Sequence, residues 1–296
     1  MPTAATNARI APTSSTGSGR PDPRINAWRD DLADIALEGV VDVPRFAAPV
    51  RHRLTAPQAP IRKAPEADAV AVSELLSGEA FDVLNVAGGV AWGYSVHDRY
   101  VGYVDAALLA EGGDAPTHRI AAPTALVFAR PDIKSTVIGA LPMGAPIRAD
   151  GHDEAFVSAT GGYVHRRHIA ALDDHAADPV AVAERFLGTP YKWGGRTRGG
   201  LDCSGLVQVA LGACGIAAPR DSDMQAALGR EVEDRHYRRG DLVFFPGHVG
   251  FMFDETRLLH ANAFFMSTVI EPLADVVGRL LPRYDAPVTA VRRLAE

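Results

Sequence analysis

Short apolar runs separated by turn residues fill the chain between about Val50 and Leu109. The central part of this region reads AVAVSELLSGEAFDVLNVAGGVAWGYSVHDRYVGYVDAALL, and β-branched and aromatic residues occupy its runs. Turn residues interrupt it at Ser77-Gly78, Gly88-Gly89 and His97-Asp98. This pattern is typical of consecutive short strands and predicts a small β-barrel.

A similar plan recurs between about Thr117 and Ala171. There ALVFARPDIKSTVIGALPMGAPI leads to AFVSATGGYVHRRHI, and GYV occupies comparable closing positions in both regions. Repetition of one pattern along a chain indicates repeated structural units. We therefore predict two tandem barrels of about 60 residues each.

Helical spacing replaces the strand pattern after residue 178. Asp178 suits a helix cap, Pro179 suits the first turn, and Gly188 suits the end of that helix. A second helix is predicted from Asp202, with apolar residues along one side and Gly215 beyond its end. Strand-like segments follow in DLVFFPG, HVGFMF and LLHANAF. Helices followed by strands predict an α+β domain.

The N-terminal part divides into two segments. Residues 1–24 are rich in Thr, Ser, Pro and Gly and lack hydrophobic periodicity, which predicts a flexible tail. Trp28, Leu32 and Ile35 then recur at helical spacing before Gly39, so a short amphipathic helix is expected over 25–38. The predicted organisation is a tail (1–24), the helix with the first barrel (25–112), the second barrel (113–175) and the α+β domain (176–296).

Composition narrows the possible partners. The net charge of −6 and the pI near 5.9 provide no basic field for nucleic acid or an anionic membrane. The first residues contain no apolar run long enough for a signal peptide or a membrane span, so the expected location is the cytoplasm. Two cysteines in 296 residues do not form a disulfide framework. Both are expected to be thiols in a reducing compartment.

Cys203 is the stronger candidate for chemistry. The stretch GGLDCSGLVQ places it in the first turn of the second predicted helix, after the capping residue Asp202. The positive end of a helix favours a thiolate and lowers a thiol pKa, although the neighbouring Asp202 charge opposes this effect. Cys214 lies on the apolar face of the same helix and is interpreted as a buried structural residue.

His248 and His260 are the candidate partners of Cys203. They lie twelve residues apart in two strand-like segments joined by a turn, which places them side by side on neighbouring antiparallel strands. One imidazole would then orient the other, giving a nucleophile, a base and an orienting residue for acyl transfer. Zinc is disfavoured because no HExxH or CxxC motif occurs, and we expect no metal or organic cofactor.

The segments GTPYKWGGRTRGGLDCSGLVQ, PRDSDMQ, RRGDLVFFPGHVGFM and LLHAN resemble the NlpC-type family of papain-like cysteine peptidases that cut peptidoglycan stem peptides. The resemblance covers roughly residues 178–296. The two preceding β regions resemble bacterial SH3-like domains. The whole arrangement is similar to the γ-D-glutamyl-L-diamino acid endopeptidases, so it implies a papain-like catalytic domain preceded by two small SH3-like β-barrels.

This resemblance assigns roles to catalytic residues. It implies that Cys203 is the nucleophile, His248 the general base and His260 the residue that orients the base. It also implies that the Tyr191 hydroxyl approaches the nucleophile and helps to hold the oxyanion together with the Cys203 backbone N–H.

The resemblance also implies substrate contacts. Asp202 would meet the ammonium group of the first substrate residue, and the D-glutamate carboxylate would meet Ser204, Arg220 and Ser222. The first barrel would lend a tyrosine and an acid to the amine pocket, which matches Tyr100 and either Glu74 or Glu79. A wall at this end of the groove would admit only short peptides with a free N-terminal L-alanine.

The implied function is hydrolysis of the γ-D-glutamyl to L-diamino acid bond in murein peptides during cell-wall recycling. One alternative is an N-acetylmuramoyl-L-alanine amidase of similar fold. Another is an inactive protein that only binds peptides. A lipid acyltransferase with a permuted core is disfavoured because its histidine precedes its cysteine. The preferred diamino acid and the oligomeric state stay open.

Overall fold

The computed structural model describes residues 19–151, 153–233 and 236–294. These residues form a short N-terminal β segment, two β units and a C-terminal α+β domain. Residues 1–18 of the predicted tail lie outside the described residues. Within the described ranges, no helix has the length and apolar character needed to cross a bilayer.

The N-terminal segment contains strands where the sequence predicts a helix over 25–38. Strands β1 (Trp28–Arg29) and β2 (Leu32–Asp34) pair antiparallel, and β3 (Phe46–Ala47) pairs parallel to β2. The helix prediction is wrong because all three residues of β2 are buried, whereas a helix would bury only one side. Ile35, which the predicted helix would bury, is 49% exposed and begins a single 3₁₀ turn.

The tail boundary predicted at residue 24 is also corrected. Asp22 is buried, and Arg24 forms ion pairs with Asp22 and with Asp221 and Asp223 of the C-terminal domain. Residues 22–24 therefore belong to the packed structure.

The first β unit is one antiparallel sheet of seven strands. Its strands are β4 (Val50–Leu54), β5 (Gln58–Arg62), β6 (Ala71–Leu76), β7 (Ala80–Ala87), β8 (Val90–Ser95), β9 (Val101–Asp105) and β10 (Leu109–Glu111). The strand order is β10-β4-β7-β8-β9-β5-β6. Ile61, Leu75, Phe81 and Val104 are fully buried in its core. The predicted turns at 77–78, 88–89 and 97–98 are confirmed as strand connections.

The second β unit contains two sheets around one apolar core. Its strands are β11 (His118–Ile120), β12 (Thr124–Phe128), β13 (Val137–Pro142), β14 (Pro146–Ile147), β15 (Asp150–Gly151), β16 (Phe156–Ala159), β17 (Gly162–His165) and β18 (Ile169–Ala171). Three strands are ordered β14-β11-β18, and five are ordered β13-β12-β17-β16-β15. That this unit is an SH3-like barrel stays a prediction.

The units share side chains at their boundaries. Leu76 of the first unit packs into the core of the second, and Met143 of the second packs into the core of the C-terminal domain. Gly78 permits the first contact: a Cβ on this residue, whose φ is +74°, would lie 2.2 Å from the Pro146 carbonyl oxygen. The units therefore pack against one another closely.

The C-terminal domain packs helices on both faces of a six-stranded sheet. Its helices are α1 (Pro179–Glu184), α2 (Cys203–Ala213), α3 (Ser222–Gln225) and α4 (Leu273–Leu280). A hairpin comprises β19 (Arg196–Thr197) and β20 (Gly200–Leu201). The sheet comprises β21 (Arg230–Glu231), β22 (Leu242–Phe245), β23 (His248–Met252), β24 (Arg257–Asn262), β25 (Ser267–Pro272) and β26 (Ala290–Arg293), in the order β21-β26-β22-β23-β24-β25.

Side chains along the strands point alternately to the two faces of this sheet and form two apolar cores, one on each side. Phe251 and Leu259 pack with residues of α1 and α2, whereas Met252 and Leu258 pack with residues of α4. The register pairs Phe251 with Leu259 and Met252 with Leu258, so each pair points to one face. The predictions of α1, of α2 and of the three strands are confirmed, and the start of α2 lies beside β23.

Candidate active site

Cys203 is the first residue of α2 and is 5% exposed. Asp202 caps this helix by accepting a hydrogen bond from the Gly205 N–H at 2.7 Å. The backbone N–H groups of Ser204 and Val249 act on the sulfur, and Val249 directly follows His248 in β23. The start of α2 therefore meets the start of β23 at the thiol.

The resting Cys203 thiol differs from the sequence-based expectation. Burial and the Asp202 charge raise its pKa to about 11, and the N–H groups of Val249 and Ser204 only partly offset them. The helix start alone therefore does not lower the thiol pKa, because desolvation outweighs the helix dipole here. At neutral pH the resting sulfur carries its proton.

His248 and His260 are hydrogen-bonded to each other, as predicted from their spacing. Nε2 of His248 lies 2.7 Å from Nδ1 of His260, and the ring centroids are 5.0 Å apart. Gly250 makes room for this pair, since a Cβ there would lie 2.9 Å from Cβ of His260. Burial and the charges of His260 and Arg279 lower the pKa of His248 to about 3, so the resting imidazole is neutral.

The Cys203 thiol and the His248 ring make no direct hydrogen bond in the described part of the chain. Their proximity rests on Val249, whose N–H acts on the sulfur. Since Nε2 of His248 is already paired with His260, Nδ1 is the nitrogen left for the thiol. Catalytic hydrogen bonds often tighten only when substrate binds.

Glu271 extends the histidine pair on the side away from the thiol. Oε1 of Glu271 lies 2.9 Å from Nε2 of His260. Arg279 donates to both carboxylate oxygens of Glu271, at 2.7 and 2.5 Å. His260 is nearly fully buried and Glu271 is buried, so these two groups are withdrawn from water.

Tyr191 is half-buried near the thiol. Burial, followed by the charges of Cys203 and Asp202, raises its pKa to about 12. Its hydroxyl is therefore protonated at neutral pH and can donate a hydrogen bond. The approach of this hydroxyl to the nucleophile and its part in holding the oxyanion stay predictions.

Asp202 does not point to a substrate pocket. Its two oxygens accept from the Gly205 and Gly194 N–H groups and from Nη1 and Nη2 of Arg220, at distances between 2.5 and 3.0 Å. The prediction that Asp202 meets the substrate ammonium is wrong, because the carboxylate is buried and already neutralised.

The polar side chains of Arg220 and Ser204 likewise form hydrogen bonds within the protein. Arg220 is 1% exposed and donates to Asp202, to Oγ of Ser204 at 2.8 Å and to Oγ of Ser73 at 3.2 Å. A buried guanidinium must be paired, which explains its contacts inside the protein. The prediction that these two residues receive a carboxylate is corrected. Ser222 is half-buried at the start of α3, and its role stays a prediction.

The first β unit reaches the C-terminal domain through Tyr100, Glu74 and Glu79. Both glutamates are buried in ion pairs, Glu79 with Arg196 at 3.0 Å and Glu74 with Lys192. Their predicted place in an amine pocket is therefore corrected, since they join two domains instead. Tyr100 is buried, and its hydroxyl donates to Oδ2 of Asp221 at 3.0 Å.

Comparison with known proteins identifies two regions of the chain. Residues 188–273 match the NlpC/P60 family. The chain carries an NlpC/P60 domain. Residues 61–109 match the bacterial dipeptidyl-peptidase SH3 domain, so the first β unit is an SH3 domain. The resemblance inferred from the sequence motifs is confirmed.

Relatives of the NlpC/P60 domain include peptidases of bacilli. The γ-D-glutamyl-L-lysine dipeptidyl-peptidase of Bacillus subtilis is 33% identical over 126 residues, which are 40% of this chain and 40% of that protein. The dipeptidyl-peptidase 6 of Lysinibacillus sphaericus is 35% identical over 94 residues, 31% of this chain and 35% of that protein. The match thus spans well under half the length of these relatives.

The fold is shared with an NlpC/P60 family protein from Bacillus cereus, known from a crystal structure. The two structures align with a TM-score of 0.71 at 19% identity, over 83% of this chain and all of that chain. The alignment extends beyond the NlpC/P60 domain, because that domain alone is much shorter than the aligned region. This likeness supports the fold of the chain.

Several residues of the site were missed from the sequence. Glu271 and Arg279 belong to β25 and α4, outside the recognised motifs. Asp221 lies within PRDSDMQ, and its contact with Tyr100 distinguishes it from Asp223, since Arg24 pairs with both aspartates. A single acid among uncharged strand residues, as in STVIEP, was the available signal for Glu271.

Proposed function

We propose that this chain is a cysteine peptidase that hydrolyses the γ-D-glutamyl to L-diamino acid bond of murein peptides. The hydrogen-bonded pair of His248 and His260, beside the thiol at the start of α2, carries the proposal. The names of the γ-D-glutamyl-L-lysine dipeptidyl-peptidases from Bacillus subtilis and Bacillus cereus support the choice of bond. A role in recycling cell-wall peptides belongs to the same proposal.

The proposed reaction begins with a neutral thiol and a neutral imidazole. The Cys203 sulfur attacks the γ-carbonyl carbon while its proton moves to Nδ1 of His248. The oxyanion accepts hydrogen bonds from the Tyr191 hydroxyl and the Cys203 N–H. The imidazolium then protonates the leaving amine as the C–N bond breaks, leaving a thioester. Water attacks the thioester with His248 as base and releases the acid and the thiol.

We propose that Asp221 and Tyr100 form the amine end of the groove, in place of Asp202. Gln225 of α3 donates to the Ser204 carbonyl oxygen at 3.0 Å, which ties α3 to the first turn of α2. Asp221 immediately precedes α3 and is half-buried, so its carboxylate is more accessible than that of Asp202. Asp221 already pairs with Arg24, but both side chains are partly exposed, so a free N-terminal ammonium would share this carboxylate with Arg24. An acetylated N-terminus would not pair with it.

The experiment uses a defined murein tripeptide with a free N-terminal L-alanine, and mass analysis of the products. Cys203→Ala should abolish release of L-Ala-γ-D-Glu, whereas Cys214→Ala at the end of the same helix should cleave normally. Turnover by purified Cys203→Ala would refute the assignment. A muropeptide carrying its disaccharide tests the amidase alternative, which predicts release of the sugar.

A further inference from the structure

A row of four polar side chains runs from β23 through β24 and β25 to α4. His248 contacts His260 at 2.7 Å, and His260 contacts Glu271 at 2.9 Å. Arg279 then holds Glu271 through two hydrogen bonds. The charged or titratable groups that face His260 from the elements packed against it are His248, Glu271 and Arg279.

The hydrogen bonds along this row run in one direction, because its members differ in whether they can donate a proton. Burial acts to raise the pKa of Glu271, but the bonds from Arg279 and His260 outweigh it and hold that pKa below its usual value. Glu271 is therefore ionised and only accepts hydrogen bonds. Its contact with His260 requires the proton on Nε2, so Nδ1 of neutral His260 carries a lone pair.

The same logic sets the state of His248. Since Nδ1 of His260 accepts, Nε2 of His248 must donate, and Nδ1 of His248 is then the bare nitrogen. This is the nitrogen that a base facing the thiol needs. A carboxylate three groups away would thus determine which nitrogen of His248 is basic.

A hydrogen bond from Asn262 would favour the opposite positions of the protons on the two rings. Its Oδ1 accepts from the Phe265 N–H at 2.8 Å, which turns its Nδ2 toward Nε2 of His260, also at 2.8 Å. If Asn262 donated to a bare Nε2, the protons on both rings would change places and Nδ1 of His248 would be blocked. The first arrangement leaves the Asn262 amide beside a protonated Nε2, but the charge-assisted bond from Nε2 to Glu271 outweighs that contact. In the second arrangement the carboxylate would face a bare nitrogen and be repelled.

We propose that Glu271, held by Arg279, is a positioning residue that fixes the tautomers of both histidines and stabilises the imidazolium formed when Cys203 loses its proton. This inference rests on the proposed role of Cys203 as nucleophile. Arg279 has two opposing effects, since it orients Glu271 and also places a positive charge near both rings. Its guanidinium lies 4.4 Å from the Phe264 ring centroid, which places it above the loop between β24 and β25.

The test measures the rate at which iodoacetamide alkylates the Cys203 thiol at neutral pH in the full-length chain. All proteins carry Cys214→Ala, so that Cys203 is the remaining thiol. At this pH the reactive thiolate forms when Cys203 passes its proton to His248. Glu271→Gln keeps the shape but removes the negative charge that stabilises the imidazolium, and should slow alkylation by about tenfold. Arg279→Gln removes a positive charge near the imidazolium, and should speed alkylation.

Opposite shifts in the alkylation rate are the diagnostic result, because simple loosening of the site would change the rate of both variants in the same direction. Asp254→Asn, which removes an exposed ion pair with Arg257, is the matched control and should leave the rate unchanged. Equal or unopposed shifts in rate would overturn the proposal. Should Glu271→Gln fail to fold, nitrogen-15 spectra of the unmodified protein decide: a protonated Nδ1 on His260 contradicts the proposal, and a protonated Nε2 supports it.

These measurements use no peptide substrate, so they separate this inference from the proposed function. Opposed shifts in a protein that cleaves no murein peptide would retain the inference and overturn the function. Normal cleavage with unopposed shifts would retain the function and overturn the inference. When cleavage is measured, Glu271→Gln should lower kcat by about 10- to 100-fold with little change in KM, as for other residues that orient a functional imidazole.

Discussion

At the scale of single residues, the ion pair of Arg220 and Asp202 organises the start of α2. Asp202 caps the helix and holds the Gly194 N–H, while Arg220 neutralises its charge and also binds Ser204. Both charged groups are almost inaccessible to water. Removing one member of such a pair leaves a buried charge without compensation.

Arg220→Met should therefore lower the free energy of unfolding by about 3–5 kcal/mol. Chemical denaturation measures this loss. Arg45→Met is the matched control, because Arg45 and its partner Asp31 are both more than half exposed. That change should cost less than about 1 kcal/mol. Similar losses in the two variants would contradict a stabilising role for the buried pair.

The sequence predicts the residues proposed for catalysis better than the residues that contact and support them. Cys203, His248 and His260 stand in short local patterns, a helix start and two neighbouring strands. The partners of Asp202 and His260 come from other elements, as Arg220 and Glu271 show. Local patterns carry no information about such pairings, so Asp202 was assigned to the substrate although it serves the fold.

At the scale of elements, α2 must approach the loop before β19 closely. A Cβ on Gly205 would lie 2.2 Å from the Gly195 carbonyl oxygen and 2.9 Å from Oδ1 of Asp202. Gly212 lies in the same helix, but a Cβ there meets nothing within 4 Å. The two glycines therefore differ in their surroundings while sharing one helix.

Gly205→Ala should destabilise the protein by about 1–3 kcal/mol and slow alkylation of Cys203, because the first turn of α2 must move. Gly212→Ala should instead stabilise it by about 0.5–1 kcal/mol, since alanine is the better helix former. Thermal unfolding of the two variants measures this difference in stability. If both substitutions changed stability alike, close packing at Gly205 would not be the cause.

Elements with clear periodicity and caps were predicted correctly, as α1 and α2 show. The helix predicted over 25–38 is absent from the structure, which has strands there. Trp28, Leu32 and Ile35 match a helical spacing in the sequence, but they do not lie on one face of a helix. Residues of this segment are buried by the first β unit, where Ala27 and Leu32 share a cluster with Trp92 and Tyr94. Tertiary burial overrides a weak local pattern in so short a segment.

At the scale of the whole molecule, the SH3 domain and the NlpC/P60 domain are joined by a buried cluster of charges. Arg196 donates to both oxygens of Glu79, at 3.0 and 3.1 Å, and to the Glu74 carbonyl oxygen at 2.7 Å. The Arg196 N–H also donates to Oε2 of Glu74 at 2.8 Å. These partners are more than a hundred residues apart along the chain, so the sequence alone does not reveal them.

We expect the two domains to unfold together because of this cluster. Arg196→Leu leaves Glu79 buried without its cation, which is unfavourable in free energy. Separation of the two domains would expose this carboxylate to water and relieve that cost. Calorimetry should show one transition for the unmodified chain, and an earlier transition separated from the main one for Arg196→Leu. Arg198→Leu, at an exposed position two residues away, should keep a single transition. One unchanged transition in Arg196→Leu would mean that apolar packing, such as that of Leu76 and Met143, is enough to couple the domains.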